Sequence, residues 1–137
     1  MELAFLIISS KYLPWTTNSP SSNTLIWLLS DILAASIVVR NKTVLDMNGK
    51  SVSVTNDISN SGRLLLNNGT ITTNNLTNAG TINITGESGT LTTTGDFVNN
   101  DTVTVESGTL RFPSYSTVNE SDKIIINAGT LEYEGKN

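Results

Sequence analysis

An asparagine opens five successive stretches of the chain, Asn41, Asn60, Asn78, Asn99 and Asn119, so that the same pattern returns at intervals of roughly 20 residues. Self-similarity at about 20 residues means one supersecondary unit per lap, and units of that size bury a shared core only by stacking. Inside each lap the apolar residues alternate. The first burst places Leu45 and Met47, Leu64 and Leu66, Ile82 and Ile84, Val103 and Val105, and Ile124 and Ile126 at period two. Period two is the signature of a strand with one face inward. A corner containing Gly49, Gly69, Gly89, Gly108 or Gly129 follows, where glycine supplies the positive φ of a sharp turn. A second strand then sends Ile71, Leu91, Leu110 and Leu131 inward. A third contributes Ile58, Leu76, Phe97 and Val118.

The expected fold is therefore all-β: a single-stranded parallel β-helix of about five coils over residues 41–137, with about three strands per turn. Equivalent residues of successive laps lie about 4.8 Å apart in such a stack. The recurring Asn41, Asn60, Asn78, Asn99 and Asn119 then form a structural ladder in which each side-chain amide bonds its neighbours above and below. Outside, Thr70, Thr90, Thr109 and Thr130 fall in one file, and Thr72, Thr92, Arg111 and Glu132 in the next, with Arg111 paired to Glu132. Asp57 and Asp96 each precede an inward apolar residue and suit Asx-type turns.

The segment 1–40 reads differently, holding both tryptophans (Trp15, Trp27) and Pro14 and Pro20. Leu25, Leu28, Leu29, Ile32 and Leu33 recur at helical spacing behind the N-cap residues Ser22, Asn23 and Thr24. That predicts an amphipathic capping helix over about 24–34, an entry strand at 37–40, and a division into a cap (1–40) and a solenoid (41–137). The apolar run Leu3–Ile8 is short and lacks the basic flank of a secretory leader. The stretch 25–39 is broken by Ser30, Asp31 and Ser36 and falls short of the ~20 residues of a membrane span.

Composition narrows the chemistry. Eight basic residues stand singly against twelve acidic ones, so no basic stripe exists to neutralise nucleic-acid phosphates. Histidine and cysteine are both absent, which removes the usual general base near neutral pH, the commonest zinc ligand and all thiolate chemistry. The expectation is a non-enzyme with no catalytic residue, metal or cofactor. The best carboxylate pairing, Asp101 with Asp122 beside Glu106 and Glu120, reads as solvated turn acids. Six N-X-S/T sequons, at Asn41, Asn68, Asn75, Asn83, Asn100 and Asn119, follow from the composition.

The lap from Lys42 to Val54, with Leu45, Asp46, Met47, Asn48 and Gly49, resembles the entry motif of right-handed parallel β-helix repeats of the pectin-lyase-like superfamily. The N-A-G-T-I and N-A-G-T-L strings are similar to repeats of bacterial surface adhesins and autotransporter passengers. Phage fibres of the same solenoid build are a further likeness. What the resemblance implies is a right-handed wind and a structural or adhesive module, extracellular or at the cell surface, or alternatively part of a virion. Its partners are then glycans or other surface or virion proteins. The outward files offer Thr70, Thr72, Thr90, Thr92, Thr109 and Arg111 as the candidate contacts, with Tyr115 as an aromatic one. End-to-end self-association, or further solenoid beyond the last lap, is the other expected contact. A carbohydrate-active enzyme lacks a groove-forming insertion and a second positioned carboxyl, and an ice-binding face is interrupted by Arg111 and Glu132.

Overall fold

The computed structural model describes residues 2–6, 14–16, 24–117 and 123–135. In chain order the strands are β1 (Glu2–Leu6), β2 (Pro14–Thr16), β3 (Thr24–Leu28), β4 (Ile32–Ala34), β5 (Ser36–Val39), β6 (Thr43–Asp46), β7 (Ser51–Asn60), β8 (Arg63–Leu65), β9 (Thr70–Asn78), β10 (Thr81–Ile84), β11 (Thr90–Thr93), β12 (Asp96–Asn99), β13 (Thr102–Val105), β14 (Thr109–Phe112), β15 (Ser114–Thr117), β16 (Lys123–Ile126) and β17 (Thr130–Tyr133). Every pairing among them is parallel and joins one lap to the next. One sheet runs β1-β3-β6-β8-β10-β13-β16, and a second runs β2-β5-β7-β9-β11-β14-β17 with β4, β12 and β15 beside it. The chain is an all-β parallel solenoid of about five complete turns, with its core between the sheets.

Inward files make that core, and each is set by register. Ile26, Leu45, Leu64, Ile82, Val103 and Ile124 stack in the first sheet. Ile32, Val52, Ile71, Leu91, Leu110 and Leu131 stack in the second. Leu45, Leu64, Ile82 and Val103 are at most 1% exposed, as are Ile71, Leu91 and Leu110. Each such side chain contributes roughly 1.5–3 kcal/mol of burial relative to exposure. The third-strand file runs Ile37, Ile58, Leu76, Phe97 and then Tyr115. Tyr115, and not Val118, therefore occupies the last place in it, and Val118 lies outside the described residues.

The helix expected over 24–34 does not form. That segment is the strand pair β3 and β4, with Ile26, Leu28, Ile32 and Ala34 inward at 7, 0, 3 and 0% exposure. Trp27, Leu29 and Leu33 are apolar as well, yet point outward at 36–42% exposure. Apolar residues on both faces of a strand produce the helical spacing in the sequence. Register decides the matter, because Thr24 to Trp27 pair with Thr43 to Asp46 and Ile32 to Ala34 with Val52 to Val54. Residues 24–39 are thus a lap like those that follow, and the repeat is under way before Asn41. Most of residues 1–23, which the expected cap would include, lie outside the described residues.

The corner glycines act for two reasons. Positive φ occurs at Gly49 (71°) and Gly108 (85°), but in the intervening laps it moves to Asn67 and Asn68 (40° and 62°) and to Gly86 (82°). At Gly69 the requirement is space, since a Cβ there would collide with the Cβ of Met47 and press on the carbonyl oxygen of Leu66.

Thr93 lies inward at 2% exposure beside Thr73 of the lap before, and its hydroxyl has no partner. The single hydroxyl proton of Thr73 is shared between the carbonyl oxygens of Asn75, at 3.1 Å, and Asn56, at 3.3 Å. Replacing an unpartnered buried hydroxyl by a methyl removes a desolvation penalty. Thr93→Val therefore raises the unfolding free energy by about 1 kcal/mol, measured as a later urea midpoint at unchanged slope. Thr73→Val, which deletes the bonds to both carbonyls, lowers it.

Candidate functional site

The outward face of the second strand carries the polar files. Alternation from inward Val52, Ile71, Leu91 and Leu110 forces the flanking residues out. Register stacks Ser51, Thr70, Thr90, Thr109 and Thr130 in one column and Ser53, Thr72, Thr92, Arg111 and Glu132 in the next. With about 4.8 Å between laps and about 7 Å between alternate residues of a strand, the result is a near-rectangular grid of hydroxyls. Thr70, Thr72, Thr90, Thr92, Thr109 and Arg111 all belong to it, and all are exposed or half-buried.

Arg111 and Glu132 close the grid at its C-terminal side as an ion pair in which Arg111 Nε donates to Glu132 Oε2. Both side chains are nearly half exposed, so solvent screens the pair. The hydrogen bond from Arg111 holds the Glu132 carboxyl below its ordinary value, and the same bond raises the Arg111 guanidinium. A carboxyl depressed in the fold adds stability above its unfolded value, and that stability fades as pH falls through the folded one. A side-chain carbon titration of Glu132 therefore gives a midpoint lower than that of a free glutamate, and Arg111→Ala returns it to normal.

Tyr115 does not join this face. Its ring packs edge-on to Phe97 at 5.4 Å and against Phe112 at 5.5 Å, and its hydroxyl meets Asn99 Nδ2 at 3.4 Å. It is half-buried at the core edge. Tyr133 continues the aromatic stack on Phe112 at 5.3 Å and is 57% exposed.

The asparagine ladder runs through the middle laps. Asn60 Nδ2 donates to Asn78 Oδ1 at 2.8 Å, and Asn78 Nδ2 to Asn99 Oδ1 at 2.9 Å, all of these residues being fully buried. Each amide also donates to a strand-opening carbonyl of the next lap, Thr81 for Asn60 and Thr102 for Asn78. Asn99 donates to Asp101 O and Lys123 O. Asn41 is not a rung: register sets Val39 below Asn60, and Asn41 is exposed, accepting the backbone N–H of Lys42. At the other end Thr117 lies opposite Asn99, and Asn119 lies outside the described residues. The amide spacing is readable in the sequence, but the corner lengths that decide which amides meet are not.

A second polar file escapes the sequence reading. Asn75 Nδ2 donates to Asp57 Oδ1 of the lap before at 2.9 Å, and Asn75 Oδ1 accepts the backbone N–H of Asp96 from the lap after. Asp57 and Asp96 thus take part in bonds between laps, where their place before an apolar residue suggests local Asx-type turns. Glu106 Oε2 accepts from Asn127 Nδ2, while Glu120 and Asp122 lie outside the described residues. Among the described residues no group of three or more His, Cys, Asp or Glu could hold a metal ion, and no helix is long and apolar enough to cross a membrane.

Asn78→Ala orphans the buried Asn99 Oδ1 and removes the side-chain acceptor of Gly80 N–H. It costs about 2–4 kcal/mol of unfolding free energy in urea titration. The exposed Asn41→Ala costs under ~0.5 kcal/mol.

No protein-family model, no curated protein and no solved structure matches this chain.

Proposed function

We propose that this chain is a non-catalytic structural or adhesive β-solenoid module of a bacterial surface or secreted protein, presenting its threonine and asparagine files to glycans or partner proteins. The observation that carries this reading is the registered hydroxyl grid on β7, β9, β11 and β14. A stack of short, uncharged donors and acceptors at a constant repeat suits a repeating polymer better than a compact small molecule. Absence of histidine and cysteine from the sequence points away from the commoner hydrolytic mechanisms. The entry motif and the Asn-Gly-Thr strings favour a pectin-lyase-like relation with a right-handed wind, and with it an extracellular setting.

A phage fibre or tail component, or another virion part, is the second reading. The last described lap favours it, because Ile126, Leu131 and Tyr133 are 40, 42 and 57% exposed where their counterparts one lap earlier are at most 3%. That apolar end suits axial contact with a second copy, as in a fibre.

Binding to immobilised polysaccharides and surface glycans tests the module reading. The chain is expected to be retained on at least one, and Thr72→Ala with Thr92→Ala to reduce retention several-fold while leaving the urea midpoint unchanged. Retention that ignores the double variant removes the grid from the account. Release of reducing ends, lost in Asp101→Asn, would replace the module with an enzyme.

A further inference from the structure

The corner between the third and first strands is not uniform. Asn60 to Arg63, Asn78 to Thr81 and Asn99 to Thr102 each cross it in three steps, whereas the register of Val39 with Asn60 and Val44 with Arg63 makes the first crossing five steps long. The extra pair lies in the turn Arg40–Thr43, closed by Thr43 N–H to Arg40 O at 3.2 Å. Lys42 takes φ 65° there, a left-handed conformation that a side chain adopts at a cost. The later corners are tight and nearly bare, for a Cβ on Gly80 would strike the carbonyl oxygen of Gly62.

A wide corner followed by tight ones leaves a trough. It measures about 500 Å³ and is lined by Asn41 to Val44, Ser61 to Arg63, Ala79 to Thr81 and Asp101. It crosses three lap rises, about 14 Å at ~4.8 Å each. Its charges are spread along the stack: Lys42 is on the first of its laps, Ser61 and Arg63 on the second, Thr81 on the third and Asp101 on the fourth. Arg63 is steered along the sheet by Nε donating to Asn83 Oδ1 at 3.4 Å.

We infer that this trough binds a short anionic oligosaccharide, a di- or trisaccharide in length. Its carboxylate or sulfate meets Lys42 and Arg63, and its hydroxyls donate to Asp101. Charge-assisted bonds at one end fix direction, while the glycine floor lets the sugar lie against backbone. The inference rests on the module reading and adds to the hydroxyl grid a second place of recognition at the corner.

Amide-resolved NMR titration of the full chain tests it, using a sulfated disaccharide, a uronate trisaccharide and a neutral glucose trisaccharide as probes. One anionic probe is expected to shift Lys42, Ser61 to Arg63 and Ala79 to Thr81 saturably, the stronger of the two identifying sulfate or carboxylate. The neutral probe is not. Arg63→Gln should weaken binding about tenfold, the loss of one charge-assisted contact. Ala79→Trp, at an exposed position, should abolish it by filling the trough with the remaining spectrum unchanged. Equal binding of the neutral sugar, no shifts with any probe, or binding indifferent to Ala79→Trp overturns the trough. Shifts confined to Thr70, Thr72, Thr90 and Thr92 overturn it while supporting the module reading. Polysaccharide retention decides that reading separately.

Discussion

Vertical registry of inward side chains is the constraint on which everything else in this fold depends. A single lap is too short to have an interior of its own, so each inward residue is shielded by its equivalent above and below. Val105 is fully buried and Ile126, its equivalent in the last described lap, is 40% exposed; Phe112 and Tyr133 differ by 3 against 57%. The same registry closes the backbone ladders of both sheets. A slip of one residue in any lap would send its aliphatic set to solvent and its threonines to the core. Local preference and global stacking therefore agree in nearly every strand, which is how a sequence with modest apolar content holds a single arrangement.

Variation in lap length is pushed into the corners. Laps of unequal length stack in one register because the extra residues sit in the Gly86 turn, in the Arg40–Thr43 turn, at the irregularity between Val54 and Asp57 in β7 and in the corner between Thr93 and Phe97. Strands keep their pairing and the corners absorb the rest. That division matters for function as well as folding: the flat hydroxyl grid exists because its strands are regular, and the trough exists because one corner is not.

Much of this is legible from the residues alone. Period-two bursts identify the inward files, and the repeat length identifies the solenoid, so Thr70, Thr90 and Thr109 can be placed opposite one another without any coordinate. Other features are hidden, each for a physical reason. The lap at 24–39 looks helical because Trp27, Leu29 and Leu33 add apolar character to an outward face, and periodicity records composition without knowing which side is wet. The ladder reads as five rungs because an asparagine at a regular interval looks equivalent wherever it falls. Only strand pairing reveals that Val39 takes the place assigned to Asn41. Tyr115 reads as a surface aromatic, yet the stack on Phe97 and Phe112 turns it inward. Spacing in one dimension carries the fold; the third-strand corner, where chain length and angle trade off, carries the errors.

Amide-to-amide rungs run only from Asn60 to Asn99, while the laps on either side are joined by side-chain bonds at the surface, such as Asn67 to Asp46, Arg111 to Glu132 and Asn127 to Glu106. Side-chain bonds therefore link the laps along the described stack, dry in the middle and wet toward either end. Water competes for the exposed bonds but not for the buried amides, so the middle rungs contribute most to keeping neighbouring laps in step.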